Sequence, residues 1–421
     1  MKKTAFSAAD ILVPNDKIDM KKWSVIACDQ YTSEPEYWEK TQKNVGDAPS
    51  ALNLILPEIY LESADVDKII EKIHTVMKQY IEQNIFTEYK DAMIYVRRTQ
   101  GNGIVREGII GKIDLEKYDF NKGSVSEVRA TEATVVERIP PRLKIRKGAP
   151  LELPHIMILI DDPENTVIEP LGASAGSFRK LYSTELMMDG GSIEGYLLDG
   201  ETQNKINDAL CNLAENDAFN KKYGLDGEPV LLYAMGDGNH SLATAKEYYQ
   251  QLKASRPEAD LSNHPARYAL VEIVNLHSPA LKFEAIHRLV YNVDCDKLIS
   301  EMNGTLGLSD NPSEQFFEYI CGGESHKVYI GKPSSNLTVG SLQNFLDRYI
   351  SENNGKIDYI HGSSNVKALA AEKNGIAFIL PDMDKVDLFP TVIKDGALPR
   401  KTFSMGHADD KRFYIEARAI L

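Results

Sequence analysis

The sequence predicts an α/β fold of mixed α+β sheets spread over more than one domain, and three observations predict it. Short apolar runs closed by glycine or turn residues, such as 230–235 and 155–160, read as buried strands. Apolar residues recurring at helical spacing, as from Val66 to Ile81, read as amphipathic helices. The two kinds of segment alternate along 421 residues, too long a chain for one ordinary core. A hydrophobic content of 43% with 26% charged residues is that of a soluble globular protein.

Charge and cysteine content narrow the function. A net charge of −14 argues against broad attraction to nucleic acid or anionic membrane, so an anionic ligand must be met by a local cluster of cations. Cys28, Cys211, Cys295 and Cys321 show no CxxC pair and no zinc-type spacing, which fits a reducing cytoplasm. The start Met1-Lys2-Lys3 resembles a secretory n-region, but Asp10 interrupts the apolar stretch. No apolar run approaches the roughly 18 to 20 residues of a membrane span, so a cytoplasmic protein is expected.

Along the N-terminal part, Trp23–Ala27 reads as a strand ending at Cys28-Asp29-Gln30, with Asp29 in turn chemistry. Ser33-Glu34-Pro35-Glu36 reads as a capping pattern that opens a short helix through Trp38. Residues 65–85 form a helix, and 93–97 with 104–113 flank Gly101-Asn102-Gly103 as a β-hairpin. The run Arg138–Lys147 is strongly basic. If extended, it places Arg142, Lys144 and Arg146 on one strand face, either as a solvated face or as a clamp for phosphate or carboxylate.

Asp161-Asp162-Pro163 after the strand at 155–160 reads as a turn. Gly172–Ser177, followed by Arg179 and Lys180, resembles a phosphate loop only loosely, since it lacks the GxxxxGK[ST] order. A helix spans 203–214, and strands span 266–276 and 283–291, the latter with His287 and Arg288 on opposite faces. Strands at 326–331, 356–360 and 376–380 alternate with helices at 341–350 and 364–373, a smaller α/β unit in which Ser364 would cap the second helix. The chain closes with Arg400, Lys401, Lys411 and Arg412 near a glycine and His407. The expected division is 1–125, a central domain at 126–300, and a C-terminal unit at 301–421.

The most informative stretch is Gly236-Asp237-Gly238-Asn239-His240-Ser241, between the strand at 230–235 and an apolar periodicity at Leu242, Ala245, Tyr248, Tyr249 and Leu252. A strand-to-helix turn presents free backbone N–H groups and the positive end of the helix dipole, and glycines let the backbone approach a ligand closely. Asp237 and His240 are the candidate catalytic pair, with Gly236, Gly238, Asn239 and Ser241 as ligand contacts. The bland alternative is that Asn239 or Ser241 merely caps the helix.

Several segments together carry a resemblance: Arg129-x-x-Glu132-x-Thr134, the Gly-Asp-Gly-Asn-His turn, His287-Arg288-Leu289-Val290, and Leu398-Pro399-Arg400-Lys401-Thr402-Phe403. Over nearly its whole length the chain is identified as a member of the bacterial and archaeal domain of unknown function family 1015. Its turn is similar to the Asp-Gly-His-His-Arg form of relatives and to the Gly-x-His-Arg turn of the ParB and sulfiredoxin fold, which also serves the free serine kinases. The resemblance implies a ParB/sulfiredoxin-like central domain with nucleotide phosphates at the turn. Asn239 and Ser241 depart from that pattern and remove its arginine.

The candidate ligand set therefore extends to Arg129, Glu132, Arg142, Lys144, Arg288 and Lys401. The expected function is nucleotide-dependent phosphoryl transfer to a small molecule, using ATP or ADP with Mg2+ at residues not identified. The alternative is a non-catalytic regulator that binds a nucleotide or a small anionic metabolite. Neither substrate nor oligomeric state follows from the sequence.

Overall fold

The computed structural model describes residues 3–32, 34–134 and 138–421; Ser33 of the expected capping pattern lies outside them. Contacts group the chain into two compact units, one of Met1–Ala130, Thr134–Leu281 and His407–Leu421, the other of Thr131–Ala133 and Lys282–Gly406. This differs from three consecutive segments. Phe283–Tyr291 already belongs to the second sheet, and the chain end returns to the first unit, where Phe413–Tyr414 pairs with Val25–Ile26 and Arg418–Ala419 with Leu151–Glu152.

In the first unit, among the described residues, a ten-stranded mixed sheet runs in the order Arg179–Glu185, Ser192–Leu197, Ile94–Thr99, Val105–Asp114, Tyr268–Asn275, Met157–Ile160, Tyr233–Asp237, Val128–Arg129, Tyr118–Asp119. Phe6–Ser7 pairs additionally with Val105–Asp114. Met157–Ile160 is buried at every residue, as a continuous apolar run requires when both sheet faces are covered. It lies parallel to Tyr268–Asn275 and antiparallel to Tyr233–Asp237, so Met157 stands opposite Asp237. Helix Asn239–Ser255 buries Leu242, Ala245, Tyr248 and Tyr249 in one core cluster; helix Val66–Glu82 buries Ile70, Ile73, Met77 and Tyr80 in another.

Two local expectations are corrected. Before Val25–Ile26 the chain forms helix Met20–Trp23, because the Asp19 carboxylate accepts the N–H groups of Lys21 and Lys22 as an N-cap. The basic run is helix Ile139–Arg146 rather than a strand, with prolines in its first turn, where their fixed φ suits a helix. Helical geometry turns Lys144 away from Arg142 and Arg146. Arg142 pairs with Glu58, Lys144 with Asp67 at 3.2 Å and Arg146 with Glu152 at 2.6 Å, so the three cations make no common clamp. The glycine-rich stretch at 172–177 falls in helix Glu169–Ser174 and a 3-10 turn Ala175–Ser177.

The second unit holds, among the described residues, a seven-stranded sheet in the order Leu308–Ser309, Glu324–Ile330, Phe316–Cys321, Ile376–Ile379, Phe283–Tyr291, Lys356–His361, with Phe403–Met405 also on Phe283–Tyr291. Helices Thr338–Asn353 and Ser363–Lys373 belong to this smaller α/β unit. Ser364 does not cap the latter: Gly362 holds the cap position at φ +84, and Asn365 donates to the His361 carbonyl at 3.0 Å. Among the described residues no helix is long and apolar enough to cross a membrane.

Candidate functional site

Strand Tyr233–Asp237 passes into helix Asn239–Ser255 through Gly238 alone. Gly238 sits at φ +79, and a Cβ there would lie 3.1 Å from the Ile156 Cα, so the turn needs glycine on both counts. No side chain caps the helix. The capping alternative therefore fails: Ser241 bonds His155 Nε2 at 3.1 Å instead, and the first-turn N–H groups are left without a side-chain cap. The buried Oδ1 of Asn239 has no hydrogen-bond partner among the described residues.

Asp237 closes on its own turn, Oδ1 accepting the Gly238 N–H at 2.8 Å while Oδ2 lies 3.2 Å from Lys411 Nζ. Burial alone would raise its pKa, but the charge of Lys411, the neighbouring His155 and the Gly238 N–H together hold it below the ordinary aspartate range. At neutral pH Asp237 is a carboxylate. Its Lys411 partner is 13% exposed at the side chain.

His155, at the head of the segment leading into Met157–Ile160, is the hub beside this pair. The Tyr414 hydroxyl accepts the Cys28 N–H at 3.1 Å and shares a hydrogen bond with His155 Nδ1 at 2.7 Å. The other ring nitrogen, Nε2, bonds the Ser241 hydroxyl at 3.1 Å and lies 3.8 Å from Asp29 Oδ2. Asp29 has no lysine or arginine ion-pair partner among the described residues. Cys28 is unsuited to nucleophilic work, since burial and the Asp29 charge push its thiol up to about 12.

Lys411 is held by a buried charge cluster. Arg98 and Arg106 donate to the carbonyls of Asp409 at 3.0 Å and Asp410 at 2.8 Å, fixing the two residues before the lysine. Arg412, next along, pairs with Glu416 at 2.7 Å and Glu272 at 3.4 Å, and Glu272 faces Arg106 at 3.7 Å. Burial and the Arg106 charge pull Arg98 down to about 9, which leaves it protonated at neutral pH. Such a network specifies one geometry because any member left alone would be a costly buried charge.

The structure gathers Asp237, Gly238, Asn239, His240 and Ser241 at this turn, with Gly236 one residue before the end of the strand and the His240 carbonyl accepting the Thr244 hydroxyl at 2.6 Å. Arg129 is buried and ties the carbonyls of Ser126 and Pro229 together, each at 2.8 Å. Glu132, Arg288 and Lys401 lie in the second unit, where buried Arg288 donates to the Lys401 and Arg400 carbonyls and Glu132 accepts the Thr402 N–H. Sequence reasoning passed over His155 and Tyr414, read Asp29 as turn chemistry and Lys411 as part of a basic tail. Among the described residues no group of three or more His, Cys, Asp or Glu is arranged to hold a metal ion.

The family model described as "Protein of unknown function (DUF1015)" matches residues 12–349, and the chain belongs to that family. No curated protein matches the sequence. Similar solved structures include a conserved hypothetical protein from Pyrococcus furiosus, 13% identical, covering 74% of this chain and 94% of its own, at TM-score 0.37. A free serine kinase in complex with AMP is 13% identical over 73% of this chain and 90% of its own, at 0.38. SbnI with a C-terminal truncation, from Staphylococcus aureus, is 8% identical over 73% and 82%, at 0.36.

Proposed function

We propose that this member of the DUF1015 family is a small-molecule phosphotransferase that takes a nucleotide as phosphoryl donor. The observation that carries the reading is the meeting of Lys411, an uncapped helix start and the Asp237 carboxylate at one glycine turn. Phosphoryl transfer asks little covalent chemistry of a protein and much positioning: cations on the phosphates and a base or acceptor that orients the attacking hydroxyl. Here the first-turn N–H groups and Lys411 receive the phosphate, Lys411 supplying the side-chain cation that Ser241 does not. Asp29, the site carboxylate without a lysine or arginine partner among the described residues, takes the proton of the attacking hydroxyl. The buried Asn239 Oδ1 accepts a hydrogen bond from the acceptor, and His155 positions Ser241.

Mg2+ brought with the nucleotide would neutralise phosphate charge. Asp237 fits such an ion, which keeps most of its waters and needs only one or two protein carboxylates. The test is calorimetric titration with ATP, ADP and AMP in magnesium, followed by ADP release over a panel of small hydroxy compounds. Lys411→Met should lower kcat/KM by about 10²–10³. Asp29→Asn should lower kcat by about 10²–10⁴ with KM little changed. Absence of nucleotide binding to the wild type refutes the reading, and a nucleotide bound but never consumed makes the protein a nucleotide-binding regulator instead.

A further inference from the structure

A cavity of about 150 Å³ opens beside the turn in the first unit and shares His155 and Ser241 with it. Most of its lining is apolar, from Leu54, Leu56, Leu61, Met77, Ile145 and Leu153, while Cys28, Thr244 and Tyr414 join the two shared residues on a polar wall. Two guanidiniums also reach it, but Arg142 is paired with Glu58 and Arg146 with Glu152. The cavity is therefore poorly suited to a second anionic group. An apolar cavity of similar size, about 150 Å³, binds benzene. The room is that of a single ring or a short branched chain.

We propose that this cavity receives a compact apolar group of the same small molecule that reacts at the Gly238 turn, so that the acceptor is an aryl or branched-alkyl alcohol rather than a wholly polar one. The inference rests on the phosphotransferase reading for the polar end of that molecule and on the cavity alone for its body. Continuity of the two through His155 and Ser241 sets the design: hydroxyl at the polar wall, apolar body beyond it. Each methylene moved out of water is worth about fourfold in affinity, so a ring need be only partly covered to dominate recognition.

The test titrates the full-length protein with inorganic phosphate, benzyl phosphate and neutral benzyl alcohol, in wild type and in Leu61→Trp and Leu153→Trp, which fill the cavity from partly exposed positions. Benzyl phosphate should bind at least tenfold more tightly than phosphate, and both tryptophan variants should abolish that preference together with benzyl alcohol binding. A nuclear Overhauser contact between the benzyl ring and the Met77 methyl in wild type locates the ligand without any variant. Failure of benzyl alcohol to bind wild type, or binding that both variants leave intact, overturns the inference. Benzyl alcohol bound and blocked by tryptophan, with no phosphate compound binding, upholds the cavity as an apolar site and instead refutes the phosphotransferase reading.

Discussion

At the scale of single residues the site turns on Asp237 and Tyr414. Asp237 is half-buried, and its ionised form is favoured by Lys411, His155 and the Gly238 N–H over the cost of desolvation. Its folded pKa therefore lies below the unfolded value near 3.8. The stability it contributes is complete above that value and is lost as pH falls through the lower folded one. Lys411→Met removes the largest favourable contribution, so the Asp237 carboxyl carbon should titrate at higher pH in the variant by 13C NMR; an unmoved midpoint would deny the pairing. Tyr414 serves His155 and the Cys28 amide at once. Tyr414→Phe should cost about 1–3 kcal/mol in urea unfolding, as expected when buried groups lose a partner. Tyr414 was not legible as the partner of Cys28, because pairing of Phe413–Tyr414 with Val25–Ile26, far away in sequence, brings the two together.

At the scale of elements, the turn was legible because it is local: an apolar strand, glycine at a position that demands φ above zero, then helical periodicity. Gly238→Ala puts a Cβ into the left-handed region and 3.1 Å from the Ile156 Cα. A loss of at least about 1–2 kcal/mol follows from the backbone alone, read as a lower urea midpoint with unchanged slope. The basic run misled for an equally local reason. Arg142-Leu143-Lys144-Ile145-Arg146 alternates polar and apolar residues as a strand does, but Pro140-Pro141 just before it start a helix, and that signal wins. The helix Met20–Trp23 was lost to the same kind of competition, Asp19 capping what the apolar residues alone present as a strand.

At the scale of the molecule, the alternation of strands and helices sufficed for a mixed α/β class, whereas the unit boundaries depended on where the chain end returns, which no local pattern encodes. Both units carry groups through which protons act on stability. In the first, Glu152 and Asp161 join Asp237 in having lowered pKa values. Burial opposes ionisation in both, but Arg418 and Arg146 favour ionised Glu152, while Tyr223, His277 and Lys222 favour ionised Asp161. Their stabilisation is whole above the ordinary values of 4.5 and 3.8 and is lost as pH falls through the lower folded ones. In the second unit, burial lowers the pKa of His287, whose Nδ1 accepts the Leu380 N–H at 3.2 Å. The neutral ring is favoured, so that contribution begins to fall as pH drops below 6.5. Burial raises Glu132, which has the opposite sign, its stabilisation being fullest below 4.5. Calorimetric melting between pH 7.5 and pH 3, taken as a scan of roughly half-unit steps, should therefore resolve two acid responses. The second-unit transition should start to lose melting temperature near pH 6.5, a loss that His287→Gln reduces, while the first-unit transition, where burial also lowers His264, should fall slightly from the same pH and then drop steeply below about pH 4.5. Asp161→Asn should blunt the steep drop and leave the first response alone; a single transition with one acid midpoint, indifferent to both substitutions, would show that these buried groups do not govern acid stability.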